Sequence, residues 1–183
     1  MRRLATADRI RALLARLGRE ARTPVTVYLT GGSTAVLLGW RESTIDVDLK
    51  LVPDSSEILR SVPALKEELQ INVELASPDL FIPVPKGWEE RSLWEATEGR
   101  LTVRHFDLVA QAVAKLERGH ARDLEDVQAM LHLGLVTAEA LTRFLADVED
   151  ELYRFPAVDP ASLRRAVEAA AGPPRPGTPA PTA

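Results

Sequence analysis

The sequence predicts an α+β fold: a mixed β-sheet with flanking helices over residues 1–106, then a helical bundle over 107–171. Two observations carry this prediction. Short β-branched or alternating apolar runs, separated by turn residues, recur near 25–30, 45–51, 71–75 and 92–106. After Asp107 the apolar residues change to helical spacing and keep it to Ala171.

Taken in order, Ile10, Leu13, Leu14 and Leu17 follow i, i+3, i+4, i+7 spacing and predict an amphipathic helix near 6–20. Val25–Thr30 is the first strand, and Ser33–Leu38 a short apolar helix after a glycine pair. Ile45–Leu51 is the second strand. Side chains alternate faces along it, so Ile45, Val47, Leu49 and Leu51 share the core side and Asp46, Asp48 and Lys50 the other. Asp54-Ser55-Ser56-Glu57 has capping-box form and opens a helix that Pro63 interrupts or restarts before Leu69. Ile71–Leu75 alternates as a third strand, with Ile71, Val73 and Leu75 inward and Asn72 and Glu74 outward. Ser77–Pro85 holds too many prolines for a central strand and reads as a rigid extended loop bordering a cleft. Ser92–Ala96 and Leu101–Phe106 flank Thr97-Glu98-Gly99-Arg100 as a hairpin.

In the helical third, Leu108, Val109, Ala112, Val113 and Leu116 form one apolar stripe, with Gly119 as the stop. Leu124, Val127, Met130 and Leu131 form a second. A third helix is expected from about Thr137 to Tyr153, and a fourth from Pro160 to Ala171 capped by Asp159. Residues 172–183, rich in Pro and Gly, cannot pack a core and are expected to be disordered.

Composition narrows the functional classes. The 183-residue chain is 45 % hydrophobic, enough for a sizeable core, and has no cysteine, which excludes disulfides and thiolate metal sites. Met1–Thr6 lacks an apolar leader segment and no run has membrane-spanning length, so a cytoplasmic protein with no membrane partner is expected. Net charge is −4, yet residues 1–22 carry seven arginines against Asp8 and Glu20. That arm either steers a polyanion such as RNA or solvates the outer face of an amphipathic helix.

The chemistry concentrates in Thr30-Gly31-Gly32-Ser33 and Thr44-Ile45-Asp46-Val47-Asp48. A glycine pair lets backbone approach a phosphate closely, and Ser33 opens a helix whose free N–H groups favour anions. Two carboxylates two residues apart on one strand face suit Mg²⁺ or Mn²⁺, which take oxygen ligands and complete their shell with substrate phosphates. Gly31, Gly32, Ser33 and Thr44 are therefore candidate nucleotide-binding residues, and Asp46 and Asp48 candidate metal ligands. Either feature alone is commonly a turn or a solvated strand face; their order and spacing make the combination specific.

This arrangement resembles the nucleotidyltransferase superfamily signature, a Gly-Gly-Ser turn followed by Asp-x-Asp. More narrowly, Leu29–Ala35 through Ser43–Asp48 is similar to AbiEii/MenT-type nucleotidyltransferases, and the likeness extends over roughly residues 25–130. The resemblance implies a third carboxylate on a following strand, for which Glu74 is the candidate; an exposed edge glutamate is the alternative. It also implies a phosphate-contacting lysine on a helix after the sheet. Lys115 fills that role, with Asp123 or Asp126 of the Arg122-Asp123-x-x-Asp126 run orienting it or the acceptor. Those aspartates also suit a helix first turn without any site.

The activity implied is transfer of a nucleoside monophosphate from an NTP to a hydroxyl acceptor, with a tRNA 3′ end as acceptor and a toxin-like enzyme held by an antitoxin. Nucleotidylation of a protein or small molecule, and a non-catalytic binding module, are the competing readings. His105, His120 and His132 lack ligand spacing and read as packing or surface residues. Trp40, Trp88 and Trp94 are the aromatic candidates for stacking a base.

Overall fold

The computed structural model describes residues 3–172. Most of the Pro/Gly tail, and Arg2 of the basic arm, lie outside the described residues.

Five strands, β1 (Val25–Thr30), β2 (Asp46–Val52), β3 (Asn72–Leu75), β4 (Leu93–Glu98) and β5 (Leu101–His105), form one mixed sheet in the order β3-β2-β1-β5-β4. β1 runs antiparallel to β2 and parallel to β5, β2 is parallel to β3, and β4 and β5 are the expected hairpin. The helices are α1 (Ala7–Glu20), α2 (Gly31–Leu37), α3 (Ser56–Leu69), α4 (Trp88–Arg91), α5 (Leu108–Arg118), α6 (Ala121–His132), α7 (Ala138–Val148) and α8 (Pro160–Ala171).

Two apolar cores sandwich the sheet. On one face, Ile10, Leu13 and Leu17 of α1 and Ile58 and Leu65 of α3 pack on Val27, Leu29, Val47, Leu49, Val73 and Val103. On the other, Tyr28 and Phe106 join the C-terminal helices through Val113, Leu116, Val127, Met130 and Leu141. The polar side of β2 therefore faces α5, and the basic helix α1 covers the opposite side. Arg9 bonds to the Leu69 carbonyl and Arg16 pairs with Glu68, so two of the arm's arginines clamp α1 to α3.

Several local expectations are corrected. Ile45 is 61 % exposed because β2 begins one residue later, and Leu75 is 56 % exposed at the end of the edge strand β3, past the cover that α3 gives Val73. Ser55, one residue past the expected cap, accepts from the Ile58 N–H. α3 runs unbroken through Pro63, which lies on its exposed side, where water can take up the stranded carbonyl. The helix expected to reach Tyr153 ends at Val148 and continues as a 3₁₀ segment. Leu124 is 42 % exposed; α6 is rotated so that Asp123, Asp126, Val127 and Met130 face inward. Among the described residues no helix is long and apolar enough to cross a membrane.

Candidate active site

β1 ends at Thr30 and α2 begins at once, with Gly31 at φ +58°. A Cβ at Gly31 would stand 2.7 Å from Asp48 Oδ2, and one at Gly32 would stand 2.0 Å from Thr44 Oγ1. Only glycines let this turn lie directly against the carboxylate strand and the Thr44 segment. The turn is held from α5. Gln111, buried, accepts the Gly31 N–H through Oε1 at 2.9 Å and donates through Nε2 to the Phe106 carbonyl at 2.8 Å and Thr34 Oγ1 at 3.3 Å. Thr34 Oγ1 also lies 3.1 Å from His105 Nδ1, whose Nε2 lies 3.1 Å from Glu95 Oε2. Burial holds the His105 imidazole below its ordinary range, against the opposing pull of Glu95. His105 is thus part of a buried polar chain running from β4 to the glycine turn.

Asp46 and Asp48 project from β2 toward α5. The parallel register sets Asp48 beside Glu74 and Asp46 beside Asn72. Asn72 Nδ2 donates to Asp46 Oδ1 at 2.7 Å and to Glu74 Oε1 at 2.9 Å, so one amide links two of the carboxylates. Burial first, then the charges of Asp46 and Glu74, raise the Asp48 carboxyl to about 6, against the lowering effect of Arg118 and Lys115. Among the described residues no three Asp, Glu or His side chains converge as the ligands of one ion would. Asp46 and Asp48 present carboxylate oxygens on one face of β2, the hard donors that suit a divalent cation.

Opposite stands a cationic corner built by α5 and α6. Lys115, 5 % exposed, donates to Asp126 Oδ2 at 2.6 Å and Asp123 Oδ1 at 3.3 Å. Asp126 also accepts both arms of Arg41, at 2.7 and 2.6 Å, and Trp40 Nε1 at 3.0 Å. Asp123 takes both arms of Arg118, at 2.7 and 2.6 Å. The Asp123 carboxyl sits below its usual range: burial alone would raise it, but the Arg118 hydrogen bonds and the Lys115 charge outweigh that. Asp123 and Asp126 accordingly face the lysine and arginines, as positioning residues.

Thr30, Gly31, Asp48, Glu74 and, from α5, Gln111, Ala114, Lys115, Glu117 and Arg118 line a cleft of about 230 Å³, bordered on its remaining side by Ala76–Pro78 and Phe81. The structure therefore brings Gly31, Asp48, Glu74 and Lys115 together in one cleft, while Asp46 lies outside its lining and accepts from Asn72. Ser33 is in the turn, but its buried hydroxyl donates to the Thr30 carbonyl at 2.7 Å and points into the fold. The Thr44 side chain packs against Gly32, and its backbone bridges to Ala5. Trp40 is committed to Asp126, and Trp88 stacks on Phe106 at 4.2 Å. Gln111, Arg118 and Arg41 were not among the sequence candidates. The available signal was helical spacing: Gln111, Lys115 and Arg118 form one polar stripe on a helix whose other residues, Glu117 apart, are apolar.

Comparison with curated proteins and with solved structures returns no match. Comparison with protein families matches residues 7–162, which takes in the whole sheet and every wall of the cleft, to a family described as a nucleotidyltransferase of unknown function. The chain belongs to this nucleotidyltransferase family, DUF6036.

Proposed function

We propose that the cleft transfers a nucleoside monophosphate from an NTP to a hydroxyl acceptor. The observation that carries this reading is the meeting of two charge sets in one cleft: Asp48 and Glu74 on one wall, and Lys115 and Arg118, with Glu117 beside them, on the α5 wall, with the glycine turn between them. A nucleoside triphosphate with its divalent cation matches both sets; a neutral ligand matches neither. Asp46 and Asp48 would hold Mg²⁺ or Mn²⁺, which would neutralise triphosphate charge when bound.

The chain's own residues do the remainder. Lys115 and Arg118 clamp the phosphates, and the buried aspartates hold these cations in place before substrate arrives. The glycine turn gives the β,γ-phosphates close backbone approach. The acceptor oxygen forms a bond to the α-phosphorus as the bond to the β-phosphate oxygen breaks; pyrophosphate departs, and Glu74 takes the hydroxyl proton.

The AbiEii/MenT-type resemblance makes a tRNA 3′ end the first acceptor to test, and an antitoxin-like protein the partner to look for. The basic helix α1 lies on the sheet face away from the cleft, so it lends no support to RNA over a protein or small-molecule hydroxyl. Incubation with each α-labelled NTP and Mg²⁺, offering total tRNA, lysate protein and small hydroxyl compounds in turn, tests the reading. Label on one acceptor class, lost in Asp48→Ala, is the expected result. A protein that binds no NTP in calorimetry is the result that defeats it and leaves a non-catalytic module.

A further inference from the structure

Phe81 is the aromatic residue among those lining the cleft, and it is 55 % exposed. Tyr28, Trp88 and Phe106 pack on one another, Trp40 donates to Asp126, and the exposed Trp94 and Tyr153 are not among the residues lining the cleft. The Phe81 backbone, by contrast, is firmly held. Leu80 N–H bonds to the Ser77 carbonyl at 3.1 Å, and the Phe81 and Ile82 N–H groups bond to the Pro78 carbonyl at 2.9 and 3.0 Å. Ile82 is fully buried, and the turn is tied to β2 by the Lys50–Asp79 ion pair at 2.5 Å. An apolar ring thus stands in solvent on a pinned turn, where folding gains nothing from its exposure.

Size and charge say what meets it. The cleft, about 230 Å³, falls below the roughly 300–1,000 Å³ of common small-molecule sites. The phosphates must lie between the carboxylates and Lys115 and Arg118, so the nucleoside leaves over the rim, where the wall is Pro78 and Phe81. We infer that Phe81 is the stacking platform for the base of the bound nucleoside triphosphate. Every base has a π-face, so the platform strengthens binding of all four nucleotides and selects among them weakly. The inference rests on the nucleotide reading above.

Calorimetry without acceptor, in Mg²⁺, separates the two claims by comparing ATP, GTP, CTP and UTP with inorganic tripolyphosphate, which has the phosphates and no base. Wild type, Phe81→Leu and Phe81→Trp should bind tripolyphosphate alike, which also shows that the variants fold. Phe81→Leu should bind each NTP about 5- to 150-fold more weakly than wild type, and Phe81→Trp at least as tightly as wild type. NTP affinity unchanged in Phe81→Leu overturns the platform. An equal loss for tripolyphosphate and NTP also overturns it, because the ring would then act on the phosphate site. Failure of wild type to bind either ligand overturns the nucleotide reading itself.

Discussion

Asp48 is half-enclosed beside two other carboxylates, and its raised carboxyl has a sign that can be measured in the protein alone. The folded value of about 6 lies above the ordinary 3.8, so the folded state holds this proton more tightly than the unfolded chain does. The associated stability is fully present below about pH 4 and is lost as pH rises through 6. Asp48→Asn should therefore raise the Tm at pH 8 in chelator by roughly 2–8 °C, on the order of 1–2 kcal/mol after solvent screening, while abolishing transfer. The gain should shrink to nothing by pH 4. Thermal melts of both proteins from pH 4 to 8 check this; the lowered His105 acts with the opposite sign in both and cancels in the difference. A constant or reversed Tm gap would contradict the account.

At Lys115 and Asp126, loss of function and loss of fold should come apart. Lys115→Ala leaves Asp126 with Arg41 and Trp40, and Asp123 with Arg118, so the aspartates keep partners. Transfer should fall at least a hundredfold with stability nearly unchanged, and Lys115→Arg should not restore it, since a planar fork replaces a compact ammonium poorly. Asp126→Ala strips three partners from one buried carboxylate position and should cost about 3–5 kcal/mol in denaturant unfolding. These residues were unevenly legible. Lys115 could be read in the sequence only through the family resemblance, which implies a phosphate-contacting lysine on a helix after the sheet. Arg41 could not, because only the packing of the α2 end against α6 brings it to Asp126.

Among elements, the glycine turn is the most constrained. Gly31→Ala places a methyl 2.7 Å from Asp48 Oδ2 at a positive φ, and should cost about 1–3 kcal/mol and displace the carboxylate. Gln111→Leu strands the Gly31 N–H and the Phe106 carbonyl, and should raise the KM for NTP more than it lowers Tm, because the turn it holds is the proposed phosphate wall. Steady-state kinetics beside melts test both; wild-type KM in Gln111→Leu would remove its positioning role. Where apolar periodicity was clear, in β1, β2, α1 and α5, the elements follow it. It misled in α6, where Leu124 has the right spacing for the core. Asp123 and Asp126 take the inward positions instead, because Lys115 and the two arginines satisfy them there. Leu75 misled for a simpler reason: alternation says which side a residue faces, not whether anything covers that side.

At the scale of the molecule, the arrangement of strands decides the chemistry. Glu74 stands beside Asp48 because β2 and β3 are parallel and in that register, something alternation alone does not determine. The placement of α1 behind the sheet likewise could not be read from its charge. Charge reversal at the exposed Arg11 and Arg19 should consequently leave KM for every acceptor unchanged, whereas a rise confined to tRNA would restore that helix as an RNA contact. The central claim is that the bond made is to the α-phosphorus. Parallel reactions with α-labelled and γ-labelled NTP, in Mg²⁺ and with the acceptor class that responds, test it directly. Label on the acceptor from the α-position only, with the γ-label released as pyrophosphate and both lost in Asp48→Asn, is the predicted result. Acceptor labelled from the γ-position, or α-label transfer undiminished in Asp48→Asn, would contradict it.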